Sequence, residues 1–330
     1  MPVRSGPAVT LVTPAPPRSR AGNRATAGRW ARFLRESGYR VSIREPADAA
    51  EHTARAGDLM VALHAWRSAE AIEAFSDRWP ERPLIVALTG TDIYRFQSSH
   101  RQTTHAAMDR AHALIGLHDD VRFDIPSRFH ARLHIVHQSA APLPAGRPGP
   151  SRRHFTVCVI GHLRAEKDPL RAALAARGLP TDSSIRVVHA GRAHSDDQAE
   201  AARAEQARNP RFVWQGERPH WQIRRLMARS RAMVMSSVME GGANVVSEAC
   251  VAGLPVIASD IPGNRGLLGA DYPAYFPARD SQALRALLLR AEREPDFLDT
   301  LRARCSERAS WFTPAAERAA LVRAVEAVRP

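Results

Sequence analysis

A chain of 330 residues, 44% hydrophobic and 25% charged, has the composition of a globular protein and room for two domains of ordinary size. No apolar run approaches the roughly 18 residues of a membrane span, and Ala8 to Val12 is too short for a signal-peptide core, so the expectation is a soluble cytoplasmic protein. The formal net charge of +13 invites a nucleic-acid partner, but the arginines are spread over nearly every segment and interleaved with Glu and Asp, so none is expected.

Residues 8 to 13 predict a first strand, and PAPPRSRAGNRATAGRWARFLRESGYRVSI then gives a loop with Pro and Gly, an amphipathic helix and a second strand. That order opens a doubly wound α/β sheet. Gly22, Asn23 and Arg24 stand in the loop, with Arg18 and Arg20 beside them. Asp58 to Leu63 predicts the next strand and ends at His64, at the carboxyl end where parallel sheets hold ligands; a hydrogen-bonded structural imidazole fits the same position. Pro83 to Leu88 predicts another strand, followed by the polar turn Thr89, Gly90, Thr91 and Asp92, with Tyr94, Arg95 and Arg101 beyond. Ala113 to Leu117 and Leu133 to Val136 complete the sheet, with His118 and His137 after their ends. Residues 139 to 153 are rich in Pro, Gly and Arg without periodicity and read as an interdomain linker.

A second half opens with Phe155 to Ile160 and GHLRAEKDPLRAAL. Of 47 Lys and Arg residues, Lys167 is the only lysine. A compact ammonium is not equivalent to a planar guanidinium at a crowded phosphate site, although a surface lysine fits as well. Ile185 to Ala190 and Arg211 to Gln215 are further strands, and Trp214 and Trp221 read as packing residues. Cys158, Cys250 and Cys305 are far apart and form no C-x-x-C pair, which suggests neither a disulfide framework nor a zinc site.

The most informative stretch is RAMVMSSVMEGGANVVSEACVAGLPVIASD, residues 231 to 260. Ala232 to Ser236 is a short apolar strand broken by Glu240, Gly241 and Gly242. Ala243 to Ala252 predicts a helix with Val245, Val246, Ala249 and Ala252 on one face, and Gly253 and Pro255 stop it. Such a unit points loop amides and the first N–H groups of the helix beyond the strand, where a phosphate is held without a cation. Seven residues separate Glu240 from Glu248, which lies about one turn into the helix and within reach of sugar hydroxyls. On spacing alone, a solvated loop Glu and a helix-surface Glu are the less favoured alternative.

EGGANVVSEACVAGLPVIAS resembles the E-x7-E signature of retaining glycosyltransferases of the family-four type, whose fold is GT-B. The resemblance implies two Rossmann-like doubly wound domains facing across a cleft, residues 1–145 and 146–310, with residues 311–330 forming a helix that packs back on the first. It implies Glu240 as the donor-sugar contact, Glu248 as the ribose contact, and Gly241, Gly242, Ala243 and Asn244 as the diphosphate cradle. Gly22 and Asn23, with Arg24, occupy the place of the family's glycine loop, and His64 that of its strand-end histidine, a cleft residue able to carry a proton. Thr91 and Asp92 lie in its polar turn, although Thr89 replaces the usual first His. In the family's G-R-L-x-x-x-K pattern Lys167 holds the Lys position as catalytic diphosphate clamp. His162 replaces the Arg, and Arg164 is close enough to supply the charge.

GNRATAGRW, ALTGTDIYRF, GHLRAEKDP and MEGGANVVSEA are together similar to a narrow branch of that family, the selenosugar synthases of selenoneine biosynthesis. The branch implies a UDP-sugar donor, typically UDP-N-acetylglucosamine, selenophosphate as acceptor, and a carbon–selenium bond as product. With no D-x-D pattern at a donor strand end, neither metal nor other cofactor is expected. Two other readings remain open: a conventional O-glycosyltransferase acting on a small-molecule or lipid hydroxyl, and a non-catalytic protein that binds nucleotide sugar or nucleic acid.

Overall fold

Runs of aliphatic residues buried along their whole length make the strands, as in Leu59–Leu63 (LMVAL), Leu84–Ala87 (LIVA) and Ala232–Met235 (AMVM). Continuous burial of this kind belongs to parallel strands covered by helices on both faces. The computed structural model describes residues 6–19, 22–144, 146, 149–151 and 153–329. By its contacts the chain divides into Met1–Gln138 with Pro314–Pro330, and Ser139–Thr313. The divisions fall at Gln138/Ser139 and Thr313/Pro314, where the sequence suggested 145/146 and 310/311, because the first part of the expected linker bonds to the second unit: Ala140 N–H donates to Phe312 O at 2.9 Å.

The first unit holds a six-stranded sheet of β1 (Ala8–Val12), β2 (Arg40–Arg44), β3 (Leu59–Leu63), β4 (Leu84–Ala87), β5 (Ala113–Gly116) and β6 (Leu133–Ile135), in the order β2-β1-β3-β4-β5-β6. All its pairs are parallel. One face is covered by the helix Gly22–Glu36, which buries Trp30 and Leu34, and by the helix Pro314–Glu326, which buries Leu321, Ala324 and Val325. Trp311, expected inside that last helix, instead lies in a 3-10 turn before it. The other face buries Ile72, Phe75 and Phe129. Glu317 is 1% exposed within the first layer. Its carboxylate accepts from Arg29 Nε at 2.6 Å and from Trp30 Nε1 at 2.8 Å, which ties the last helix to the first.

The second unit repeats the plan with β7 (Phe155–Ile160), β8 (Ile185–Ala190), β9 (Phe212–Trp214), β10 (Ala232–Met235), β11 (Val256–Ser259) and the short β12 (Tyr275–Phe276), in the order β12-β11-β10-β7-β8-β9. Its core runs from Phe155 and Val157 to Leu301 and Phe312 and includes all three cysteines, each free and buried. Burial lifts the Cys158 thiol to about 12, so it is a packing group. Strand order reverses between β1 and β3 in the first sheet and between β7 and β10 in the second. Such reversals open a crevice at the carboxyl ends of the strands, where sheets of this class bind ligands. Among the described residues, no helix is long and apolar enough to cross a membrane.

Candidate functional site

In the second unit the loops after β7 and β10, one on each side of the reversal, are bonded together. Val238 N–H donates to Glu166 O at 2.9 Å, and Ser236 Oγ donates to Asp168 O at 2.9 Å. This clamp brings Lys167, in the 3-10 turn Ala165–Lys167, against Glu240: the ammonium pairs with Glu240 Oε1, which also accepts from Ser237 Oγ at 2.6 Å. Glu240 is 8% exposed while the Lys167 side chain is 29% exposed. An ammonium has three donors, so Lys167 can hold Glu240 and still face a bound anion.

Beyond Glu240, Gly242 has φ +126°, a conformation that side chains resist. It turns the chain into the helix Asn244–Val251, one residue shorter at each end than the sequence suggested. Gly241 and Ala243 are buried, and Gly242 and Asn244 are half-buried. The helix faces the core with Val246, Ser247, Ala249 and Cys250; Val245 and Ala252, expected on that face, are only partly covered. Gly263 packs beneath this loop. A Cβ there would stand 2.1 Å from Glu240 O, so only glycine permits the approach.

Glu248 is 18% exposed in its side chain and sits 3.4 Å from His220 Nε2. The hydrogen bond to Glu248 raises the His220 pKa above its ordinary value, against burial. Nothing in the sequence marked His220, since its partner lies on another helix. Trp221 beside it is 56% exposed and is no packing residue, whereas Trp214 packs as expected, its Nε1 donating to Gly191 O at 2.9 Å.

His162 does not replace the family arginine as a charge. Burial first, then His194, Arg164 and Arg192, hold its pKa down at about 4. The neutral ring accepts from Arg192 N–H at 3.2 Å and meets His194 edge-on at 5.1 Å. Positive charge near His162 comes from Arg164, half-buried and donating to His194 at 3.2 Å, from Lys167 in the same loop, and from exposed Arg192 in the loop after β8.

In the first unit, Gly22, Asn23 and Arg24 begin the helix Gly22–Glu36 instead of standing in a loop. Gly22 is exposed and the other two half-buried, while Arg20 lies outside the described residues. His64 is not the open strand-end residue expected. It is 2% exposed, with φ +79° and a ring covered by Phe96 at 5.7 Å. Its Nδ1 lies 2.7 Å from Asp92 Oδ1 and its Nε2 lies 2.9 Å from Thr91 Oγ1. Asp92 is fully buried and accepts N–H from Ala65, Trp66 and Thr89 at 3.1, 3.0 and 2.9 Å. Its carboxylate is closed to solvent and occupied by backbone amides, not the open substrate contact expected of it. The polar turn continues as a π-helix, Asp92–Phe96, a form frequent at functional sites.

A second buried group stands after β5. Tyr94 OH donates to Asp124 Oδ2 at 2.7 Å and lies 3.2 Å from His118 Nε2. Burial raises the Tyr94 and Asp124 pKa values and lowers that of His118 to about 4; the buried His118 Nδ1 has no hydrogen-bond partner among the described residues. Arg95 and Arg101 are exposed nearby in the chain.

Residues 148–311 match the family described as Glycosyl transferases group 1. Comparison with curated protein sequences finds no match. Among solved structures, Anabaena HepE in complex with UDP aligns with a TM-score of 0.78 at 16% identity, over 97% of this chain and 99% of that one. The same protein in complex with UDP-glucose gives 0.77 at 14% identity, over 97% and 100%. Sucrose-phosphate synthase from Thermosynechococcus elongatus gives 0.79 at 15% identity, over 98% and 100%. Two parallel six-stranded sheets with these likenesses make the fold GT-B.

Proposed function

We propose, from the premise that residues 148–311 form a glycosyl transferases group 1 domain, that this chain is a glycosyltransferase taking its sugar from a UDP-sugar. The observation that carries the reading is the clamp of Lys167 and Glu240 at the strand-order reversal of the second sheet, with Glu248 one turn into the next helix. Lys167, Arg164 and the amides around Gly242 and Asn244 hold the diphosphate. Glu240 holds sugar hydroxyls, and Glu248 those of the ribose. Anabaena HepE, solved with UDP and with UDP-glucose, supports a uridine nucleotide as the carrier.

Lys167 stabilises the negative charge that develops as the diphosphate leaves, which is catalysis by a preplaced cation. We assign this role to protein groups and no metal ion. Added chelator should therefore leave turnover unchanged; a rate lost with chelator and restored by a divalent cation contradicts that part of the reading.

As donor we propose UDP-N-acetylglucosamine, and as acceptor selenophosphate, giving a selenosugar. A small dianion suits the basic side chains on the first unit, Arg24, Arg95 and Arg101, and the resemblance of four segments to selenosugar synthases supports it. The test is incubation of the enzyme with UDP-N-acetylglucosamine and selenophosphate, thiophosphate or simple alcohols, read by mass spectrometry. We expect UDP release and a sugar bonded to selenium. Transfer to alcohols alone contradicts the selenium acceptor and supports an O-glycosyltransferase, and no UDP release with any of them supports a binding protein.

A further inference from the structure

We propose that His189, the penultimate residue of β8, is a positioning residue for the donor half: its ring fixes the carbonyl of Gly161 and so sets where the following loop carries Lys167. This rests on the glycosyl-transfer reading above, which gives Lys167 its role, and adds to it a residue that touches neither sugar nor nucleotide. All the groups involved belong to the second unit.

His189 puts a polar ring where the strand calls for an apolar side chain. Its neighbours Val187, Val188 and Ala190 are buried aliphatic residues, and His189 is buried with them at 0% exposure. It stands opposite Val159 on β7 and Trp214 on β9, and Phe212 meets its ring edge-on at 6.5 Å between centroids. Nε2 lies 2.9 Å from Gly161 O. A carbonyl only accepts, so the hydrogen is on Nε2. Burial lowers the ring's pKa against the pull of the Gly161 and Pro169 carbonyls, which keeps the ring neutral with that single hydrogen. Nδ1 is then a bare acceptor, and it has no hydrogen-bond partner among the described residues. A buried acceptor left unpaired is destabilising. Leucine or phenylalanine would avoid that loss, but neither would make the bond to Gly161.

Gly161 is where β7 ends and the loop to Lys167 begins. Its N–H donates to Ala190 O at 3.0 Å, and Leu163 N–H donates to Arg192 O at 2.9 Å, so backbone bonds hold the chain on both sides of its carbonyl. The carbonyl itself is held between the His189 ring and Gly191. A Cβ on Gly191 would stand 1.7 Å from that oxygen, which is therefore pressed against bare backbone while Nε2–H bonds to it. Because the peptide unit is planar, fixing this oxygen fixes the direction in which the chain leaves the strand. The ring also shares a boundary with the catalytic turn: His189, Lys167, Pro169, Ser236 and Ser237 line one small cavity of about 10 Å³. Loss of the ring's hydrogen bond frees the loop at its base, and loss of the ring removes a wall shared with Lys167. A misplacement of about 1 Å at a reacting group costs about 100-fold in rate.

The experiment measures kcat for wild type, His189→Phe, His189→Leu, His189→Gln and Lys167→Ala, and for Lys167→Ala combined with His189→Phe or His189→Leu. Phenylalanine keeps a ring without the N–H, leucine keeps neither, and glutamine carries an N–H able to reach the Gly161 carbonyl. We expect His189→Phe and His189→Leu to lower kcat about 10- to 100-fold and His189→Gln to restore most of the rate. Once Lys167 is alanine, the same substitutions at His189 should cost less than about twofold more, because effects exerted through one group do not add. A residue that merely holds the fold would lower the rate alike in both backgrounds. Equal losses in the two backgrounds, wild-type kcat in a folded His189→Phe or His189→Leu, or His189→Gln as impaired as His189→Leu overturns the positioning role and leaves the reading of Lys167 in place. Wild-type kcat in Lys167→Ala overturns that reading, and the positioning role with it. If neither apolar variant folds, nitrogen NMR of the wild-type imidazole decides: a neutral ring protonated on Nε2 is expected, and one protonated on Nδ1 overturns the assignment.

Discussion

Lys167 and Glu240 were separate expectations in the sequence, and the fold makes them one ion pair. In the proposed reaction this cation would touch both the carboxylate that holds the sugar and the leaving diphosphate, and so couple binding to departure. Lys167→Ala is expected to lower kcat about 100-fold or more, the scale for losing a preplaced charge at a developing anion, with the fold retained by circular dichroism. Glu248→Ala should instead raise KM for the donor roughly 10- to 100-fold through lost charge-assisted hydrogen bonds to ribose. Steady-state kinetics separates the two, and wild-type behaviour of either variant rejects its assignment. His220 gives an independent reading of Glu248. Because its folded pKa is raised, the stability gained from the pair is complete below the unfolded value of about 6.5 and is lost as pH rises through the folded value. The gain is small, since the imidazole is 71% exposed. In an NMR titration, Glu248→Gln should return His220 to its ordinary range; an unmoved titration midpoint contradicts the contact.

At the level of elements, strands were the most legible part. β7 and β8 run over the residues expected because six-residue runs with buried aliphatic groups end sharply at Gly161 and Gly191. The two-residue β12 carried no period to read. The π-helix Asp92–Phe96 was equally hidden, since one extra residue per turn leaves no mark in so short a segment. The sealing of His64 depends on Phe96, which lies beyond the polar turn and reaches the ring only through that helix. Glu317 was legible and overlooked: it shares a helix face with Leu321, Ala324 and Val325 at spacings of four, seven and eight, and it is buried with them. Replacing Glu317 with Gln should cost about 2 kcal/mol in urea denaturation, below the full cost of breaking a buried pair because Arg29 keeps 16% exposure. A change under about 0.5 kcal/mol would show that the tie between the first and last helices contributes little. Gly263→Ala forces a Cβ against the Glu240 carbonyl, and overpacking of this kind costs about 1–3 kcal/mol. Thermal melts should show that loss, and donor turnover should fall with it; an unchanged kcat/KM would mean that the Glu240 loop is not fixed from below.

Over the whole molecule, the groups proposed to hold the donor stand in two short segments, residues 231 to 260 and the turn around Lys167, and the sequence showed each segment but not the ion pair that joins them. The grouping in the first unit was not legible, since Asp92, His64 and Thr91 come together from two strand ends only when the sheet forms. Charge has the same two-level character. A net +13 raises the local concentration of anionic substrates in general, but His162, held neutral, shows that basic residue types do not by themselves supply charge where a phosphate would sit. The central claim is that the second unit seats a uridine nucleotide at the reversal between β7 and β10. Difference density from crystals soaked in UDP tests it most directly. The account predicts the diphosphate against Lys167 and the first turn of Asn244–Val251, with the ribose on Glu248, and nucleotide density bound away from those residues would contradict it.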